Sequence, residues 1–227
     1  LIHDAELRGI RCCLAALTEE ECRIVEELYP DRFHFYCDRD SYDYVYAIDD
    51  LADLKGRKFQ KKRNHLNRFE QEHPEARIVP LDESNRVAAF QLAEQWYESR
   101  STADPERDYH LEHQALHRAF AFYSQLGMEG VVLMESGKVQ AFAMGTRLNQ
   151  DTFDIHFEKA LDAAEGAYAA VNRGFARYIR EKHPDIKWLN REDDMGIEGL
   201  RKAKLSYCPN HMVEKCWAQL AEEDDEF

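Results

Sequence analysis

The chain has six cysteines, Cys12, Cys13, Cys22, Cys37, Cys208 and Cys216, but no CxxC pair, so the usual spacing of a zinc site is missing. Most of them lie in apolar runs, which predicts buried reduced thiols in place of disulfides or bound zinc. No apolar run approaches the roughly 18 residues that span a bilayer, and no signal-peptide pattern opens the chain. A cytoplasmic location is expected on both grounds. The motifs GxSxG, HExxH, the P-loop and GxGxxG are absent, which removes the commonest hydrolase, zincin, nucleotide and dinucleotide readings. Positive charge is scarce: 30 Lys and Arg face 44 Asp and Glu, a formal net charge of −14. That balance argues against broad nucleic-acid binding, and no stable DNA complex is expected.

The scarce charge is concentrated. Lys55 to Phe69, KGRKFQKKRNHLNRF, holds seven Lys and Arg and no acid, so without it the other residues sum to −21. Such an island draws phosphate or carboxylate groups that the rest of the surface repels. Written on a helix, Lys55, Lys58, Lys62 and His65 share a face beside an apolar stripe of Phe59, Leu66 and Phe69. A solvated helix face is the plain alternative. It usually carries opposite charges at i,i+4, and none are interleaved here.

The 227 residues, 44 % hydrophobic and 33 % charged, read as a soluble globular protein of one or two domains. The run from Gly9 to Leu17 suits a buried strand, and Thr18 with Glu21 marks a capping-box helix start. Strands are predicted at 32–37 and 42–48, with a helix from the basic segment to His73-Pro74. A short strand at Ile78-Val79 precedes helices over 83–100 and 111–126. A hairpin follows (131–135 and 139–148), then a third strand at 152–159. A helix over 166–182, a strand at 186–189, a helix at 197–204, a β segment over 207–217 and an acidic tail complete the pattern.

Period two places Asp154, His156 and Glu158 on one face of the third strand and Phe153, Ile155 and Phe157 on the other. In a cleft, His156 and Glu158 together suit proton removal from an amine or hydroxyl; on an edge strand they would simply meet water. Gly166 opens a helix whose N-terminal amides can bind an anion. Asn190, Arg191, Glu192, Asp193 and Asp194 follow a short strand, where open α/β sheets present ligand groups, or form a solvated connection. Arg201, Lys202 and Lys204 end a helix whose dipole also favours cations without a ligand. His110, His113 and His117 fall at i, i+3, i+7 and can stack on one helix face. No further ligand is visible in the sequence, so no metal site is expected.

Together, KGRKFQKKRNHLNRF, HFEKA at 156–160, EGAY at 165–168, NREDD at 190–194 and GIEGLRKAKLSY at 196–207 resemble the bacterial phosphatidylglycerol lysyltransferase C-terminal domain family. The resemblance covers nearly the whole chain. It implies an α+β, GNAT-like fold of the acyl-CoA N-acyltransferase type with tandem lobes, related to the Fem aminoacyltransferases. On it, residues 1–50 are the C-terminal part of a first lobe whose opening strands precede Leu1. Residues 51–74 are a basic connecting helix, 75–220 a second, complete lobe, and 221–227 an acidic tail. It implies an aminoacyl or acyl transferase. Glu158, His156 and Asp154 are then the catalytic candidates, and Lys55, Lys58, Lys62, Arg63 and Asn64 hold donor or acceptor phosphates. Gly166, Tyr168, Asn190, Arg191, Arg201 and Lys204 complete the substrate site, with Glu192 or Asp193 facing a cationic aminoacyl group such as lysyl. The implied donor is an aminoacyl-tRNA, whose acceptor end the basic island would hold. A CoA thioester is less favoured, because DAAEGAYA replaces the pyrophosphate-binding turn of GNAT enzymes. The acceptor would be a small molecule or a lipid headgroup. A CoA-dependent N-acyltransferase and a non-catalytic module binding an anionic ligand remain the alternatives.

Overall fold

Thr18 caps its helix as its spacing predicts: Glu21 donates its backbone N–H to the Thr18 hydroxyl, and the Glu21 carboxylate accepts from the Thr18 backbone N–H at 2.7 Å. The computed structural model describes residues 1–103, 108–161 and 166–221. Glu165 and the acidic tail beyond 221 lie outside them. In chain order the elements are α1 (Ile2–Arg8), β1 (Cys13–Leu17), α2 (Glu19–Leu28), β2 (Phe33–Cys37), β3 (Asp43–Ala47), α3 (Ile48–Asp53) and α4 (Gln60–Glu72). They continue with β4 (Arg77–Pro80), α5 (Arg86–Ala103), α6 (His110–Ala121), β5 (Glu129–Glu135), β6 (Lys138–Arg147) and β7 (Thr152–Ala160). The last are α7 (Ala167–Lys182), β8 (Trp188–Asn190), α8 (Glu198–Leu205), β9 (His211–Val213) and β10 (Cys216–Leu220).

The chain divides into two units, residues 1–45 with 192–227 and residues 46–191. This division differs from the boundaries read in the sequence, because 192–220 belong with the N-terminal residues. The reason is strand order. β10 lies between β1 and β2, antiparallel to both. Within that sheet Cys37 and Cys216 face each other in register and form a disulfide. The expectation of reduced, buried thiols is corrected here: Cys12 is buried, Cys13 exposed, and Cys22 and Cys208 half-buried. β1 is also shorter and more exposed than a buried strand over Gly9–Leu17 would be, since one face of a three-stranded sheet cannot cover both of its sides.

The second unit carries β4, β5, β6, β7 and β8 in that order, all antiparallel except β7 with β8. On one face α5 and α6 bury Leu92, Tyr97, Leu116 and Phe120 against Phe142, Met144 and Phe157. On the other lies α7, whose Phe175 meets Phe153 of β7 edge-on with ring centroids 5.8 Å apart. The β7–β8 pairing covers Thr152 to Asp154 against Trp188 to Asn190, and β7 runs on to Ala160. No helix among the described residues is long and apolar enough to cross a membrane.

Candidate functional site

Between Met144 paired with Phe157 and Gly145 paired with Ile155, the β6–β7 ladder slips by one residue and His156 is left over as a β-bulge. Gly145 makes the bulge possible, since a Cβ there would stand 1.8 Å from the Asp154 carbonyl oxygen. The bulge breaks the alternation expected for β7. Phe153 and Glu158, five residues apart, both reach α7, whereas Phe157 and Lys159 face α5 and α6. The predicted shared face of Asp154, His156 and Glu158 is therefore corrected. His156 stays with Asp154, its Nδ1 3.8 Å from the carboxylate, and its Nε2 is 2.8 Å from the Thr146 hydroxyl. Glu158 is turned to the opposite side of the sheet.

There it meets a set of partners drawn from three elements. Arg191, just past β8, donates from one Nη to both carboxylate oxygens, at 3.1 and 3.2 Å, with both side chains nearly buried. Asn172 of α7 donates its Nδ2 to Oε2 at 3.0 Å. The Arg191 guanidinium also lies 5.7 Å from the ring centroid of Tyr46 at the end of β3. Two donors fix the plane of the carboxylate, and Oε1, which accepts from Arg191, has capacity for a further donor.

The N-terminus of α7 adjoins this group. Gly166, at φ 97°, is its N-cap, and a Cβ there would meet Phe69 at 2.9 Å and the His65 carbonyl oxygen at 3.3 Å, so α4 packs directly on the helix start. Tyr168, two residues on, accepts a hydrogen bond from the Trp96 indole N–H at 2.9 Å. Burial pushes its phenol above the ordinary value, and the Glu158 carboxylate adds to that shift. Across the sheet, Lys159 is buried between the Trp96 ring, 3.7 Å from its centroid, and the Glu112 carboxylate.

The basic segment does not form one helical face, which corrects the helical reading of Lys55 and Lys58. α4 begins only at Gln60, after the left-handed Leu54 and Gly56. Lys55 pairs with Asp53 at 2.9 Å and Lys58 with Asp50 at 2.7 Å, both acids of α3. Arg63 donates to the carbonyl oxygens of Leu54 and Gly56. Lys62 lies on the α4 face that carries Leu66 and Phe69, and Asn64 is exposed. Asn190 is buried opposite Asp154 in the β7–β8 pair.

In the other unit, Asp194 is fully buried and accepts from Arg201 Nε at 2.9 Å, from the Tyr44 hydroxyl and from the Gly196 backbone N–H at 3.0 Å. Arg201 foremost holds its carboxyl far below the usual range. Arg201 also reaches Asp40, and Lys204 donates to the Glu192 and Asp193 carbonyl oxygens. Asp193 lies 3.5 Å from Lys215. Arg201 and Lys204 thus tie NREDD to α8.

Asn172 belongs to no motif in the sequence; its one signal there is that it stands as the single amide among the small and apolar residues that α7 buries. A groove of about 530 Å³ lies elsewhere in the same unit, lined by Phe69, Ile78, Leu133, Arg173, Arg177 and Tyr178 among others, and it includes none of the candidate residues.

Residues 1–219 match the family model described as phosphatidylglycerol lysyltransferase, C-terminal. An uncharacterised protein of Mycoplasmoides gallisepticum is 26 % identical over 77 % of the chain, and the chain spans just over half (55 %) of that relative's length. A conserved protein of unknown function from Bacteroides thetaiotaomicron has a crystal structure that superposes with a TM-score of 0.89 at 39 % identity, over 97 % of this chain and 73 % of that one. L-PGS from Bacillus licheniformis superposes at 0.69 with 14 % identity, over 100 % and 72 %. At 9 % identity, FemX (0.64, over 96 % and 74 %) and a tandem GNAT protein from the clavulanic acid biosynthesis pathway (0.52, over 98 % and 69 %) share the fold. The α+β, GNAT-like expectation holds.

Proposed function

Because the chain belongs to the phosphatidylglycerol lysyltransferase C-terminal family, we propose that it transfers an aminoacyl group from an activated ester, such as an aminoacyl-tRNA, to an amine or hydroxyl acceptor. The observation that carries this reading is the Glu158 carboxylate, fixed by Arg191 and Asn172 beside the start of α7. The acceptor N–H or O–H donates to Oε1 of Glu158. As the acceptor atom bonds to the ester carbonyl carbon, its proton passes to that carboxylate. The carbon–oxygen bond to the donor then breaks, and the proton leaves on the donor hydroxyl. Arg191 and Asn172 position the base, and the amides at Gly166 to Tyr168 face the charge that develops on the carbonyl oxygen. Lys62, on the face of α4 that packs on this helix start, supplies a cation for a donor phosphate. His156 is assigned no proton transfer with Glu158, from which the bulge separates it. The acceptor is a small molecule or a lipid headgroup.

The test is equilibrium binding of mixed aminoacylated tRNA against deacylated tRNA, with CoA as competitor, followed by turnover of Glu158→Gln. Preference for the charged form, and loss of turnover of at least about 100-fold in the variant with binding kept, is the expected result. Competition by CoA without that preference would move the donor to a thioester. An unchanged rate in Glu158→Gln would remove the residue from the chemistry.

A further inference from the structure

On α6, His113 and His117 are one turn apart and point the same way. Glu94 of the neighbouring α5 completes a triangle with them: Glu94 Oε1 lies 2.8 Å from His113 Nε2 and 3.1 Å from His117 Nε2, and the two nitrogens are 3.1 Å apart. The sequence shows only the histidines. The acid it lacks stands 19 residues upstream of His113, on another helix.

With both imidazoles as Nε2–H tautomers, each donates to Glu94 Oε1, but the two N–H groups then crowd one oxygen from nitrogens only 3.1 Å apart; with the hydrogens on Nδ1 instead, three lone pairs converge on one point. A cation that accepts from all three atoms removes the conflict. In a tetrahedral site with bonds of about 2.0 to 2.1 Å, ligand atoms stand about 3.3 Å apart, so the observed edges need to widen by only a few tenths of an ångström. The rings are also held in place. His113 packs edge-on to Tyr97 with centroids 4.6 Å apart, and His117 to Phe90 at 4.8 Å.

We propose that Glu94, His113 and His117 bind one divalent ion of the zinc class, with water in the open fourth position, and that the ion clamps α5 to α6. Two imidazoles and one carboxylate suit Zn²⁺, or Co²⁺, Ni²⁺ and Cu²⁺ in its place, and do not suit Mg²⁺ or Ca²⁺, which take oxygen ligands. Glu112 precedes His113 directly and pairs with Lys159 of β7, so the clamp also restrains the helix that holds that buried lysine. The site stands apart from Glu158 and does not depend on the proposed transfer.

Chelator-stripped protein is titrated with Zn²⁺ against a chromophoric competitor, and with Co²⁺ by its visible absorption. The wild type is expected to take up one equivalent with the intense absorption of a tetrahedral site. His117→Ala should weaken that binding about 100-fold or more and Glu94→Gln at least about 10-fold. Saturating Zn²⁺ should raise the melting temperature of the wild type and leave that of His117→Ala unchanged. Equal Zn²⁺ affinity in the wild type and both variants would place the metal on other histidines or thiols and overturn the assignment. So would the absence of uptake by a wild type that melts cooperatively.

Discussion

Asn172 Nδ2 donates to Glu158 at 3.0 Å, while its own Oδ1, on a residue 1 % exposed, has no hydrogen-bond partner among the described residues. A buried acceptor without a partner costs about 1 to 3 kcal/mol. The amide is thus held in place by what it does for the carboxylate and not by a gain of its own. Replacing the donor by an acceptor should reverse the interaction. Asn172→Asp sets two carboxyl groups together, and we expect it to lower the unfolding free energy by about 1 to 3 kcal/mol at pH 7, with partial recovery near pH 5 when one of the pair protonates. Urea midpoints at the two pH values measure this, and equal midpoints for variant and wild type at pH 7 would contradict it.

Gly145 and Gly199 should respond to alanine with opposite signs. At Gly145 the new Cβ would stand 1.8 Å from the Asp154 carbonyl oxygen, a backbone atom that cannot step aside, so the bulge must be rebuilt. The expected loss exceeds about 2 kcal/mol. At Gly199, inside α8, a Cβ meets nothing within 4 Å, and the substitution should add up to about 1 kcal/mol. Thermal melts of the two variants check the contrast. A Gly145→Ala protein as stable as the wild type would mean that the bulge is not constrained by that glycine.

Acid sensitivity should trace to carboxylates clamped by arginine. Asp53, hydrogen-bonded first by Arg180 and then by Lys55, is lowered to about 2, and Asp194 also lies well below the ordinary range. An Asp whose folded value is depressed stabilises the protein above its unfolded value of about 3.9 and loses that contribution as the pH falls toward the folded value. Stability should therefore decline between about pH 4 and pH 2. Asp53→Asn should start lower at pH 6 and decline less over that interval. Denaturant midpoints at pH 6, 4 and 2.5 provide the comparison, and parallel curves for the two proteins would exclude Asp53 from the effect.

Much of the order of elements was legible because it is local. Thr18 and Glu21 announce their helix by spacing, Pro74 marks the end of α4, and Ser136-Gly137 joins β5 to β6. Departures occur where distant residues decide. Strict alternation assigns Glu158 to the face of His156, yet the slip that separates them is permitted by Gly145 on the partner strand. A glycine inside an apolar strand was the sign available in the sequence. The charge island begins just after Asp50 and Asp53, the acids that fold back to pair with its lysines. The cysteines carry no local cue for the bond between Cys37 and Cys216, which depends on β10 entering beside β2 across a separation of 179 residues.

That insertion also governs the order in which the molecule can be assembled. Among the described residues β1 and β2 have no ladder with each other; each pairs with β10, which is synthesised long after both. While the chain emerges from the ribosome, the edges that β10 will cover therefore stay open until residue 220 is released, long after the strands β4 to β8 have all been made. Closing a loop of this length is slow compared with hairpin formation, so this sheet completes after the β5–β6 hairpin although β1 and β2 are made before it. A nascent chain halted before Cys216 would leave open the edges of β1 and β2 that β10 covers, and open strand edges can recruit another chain.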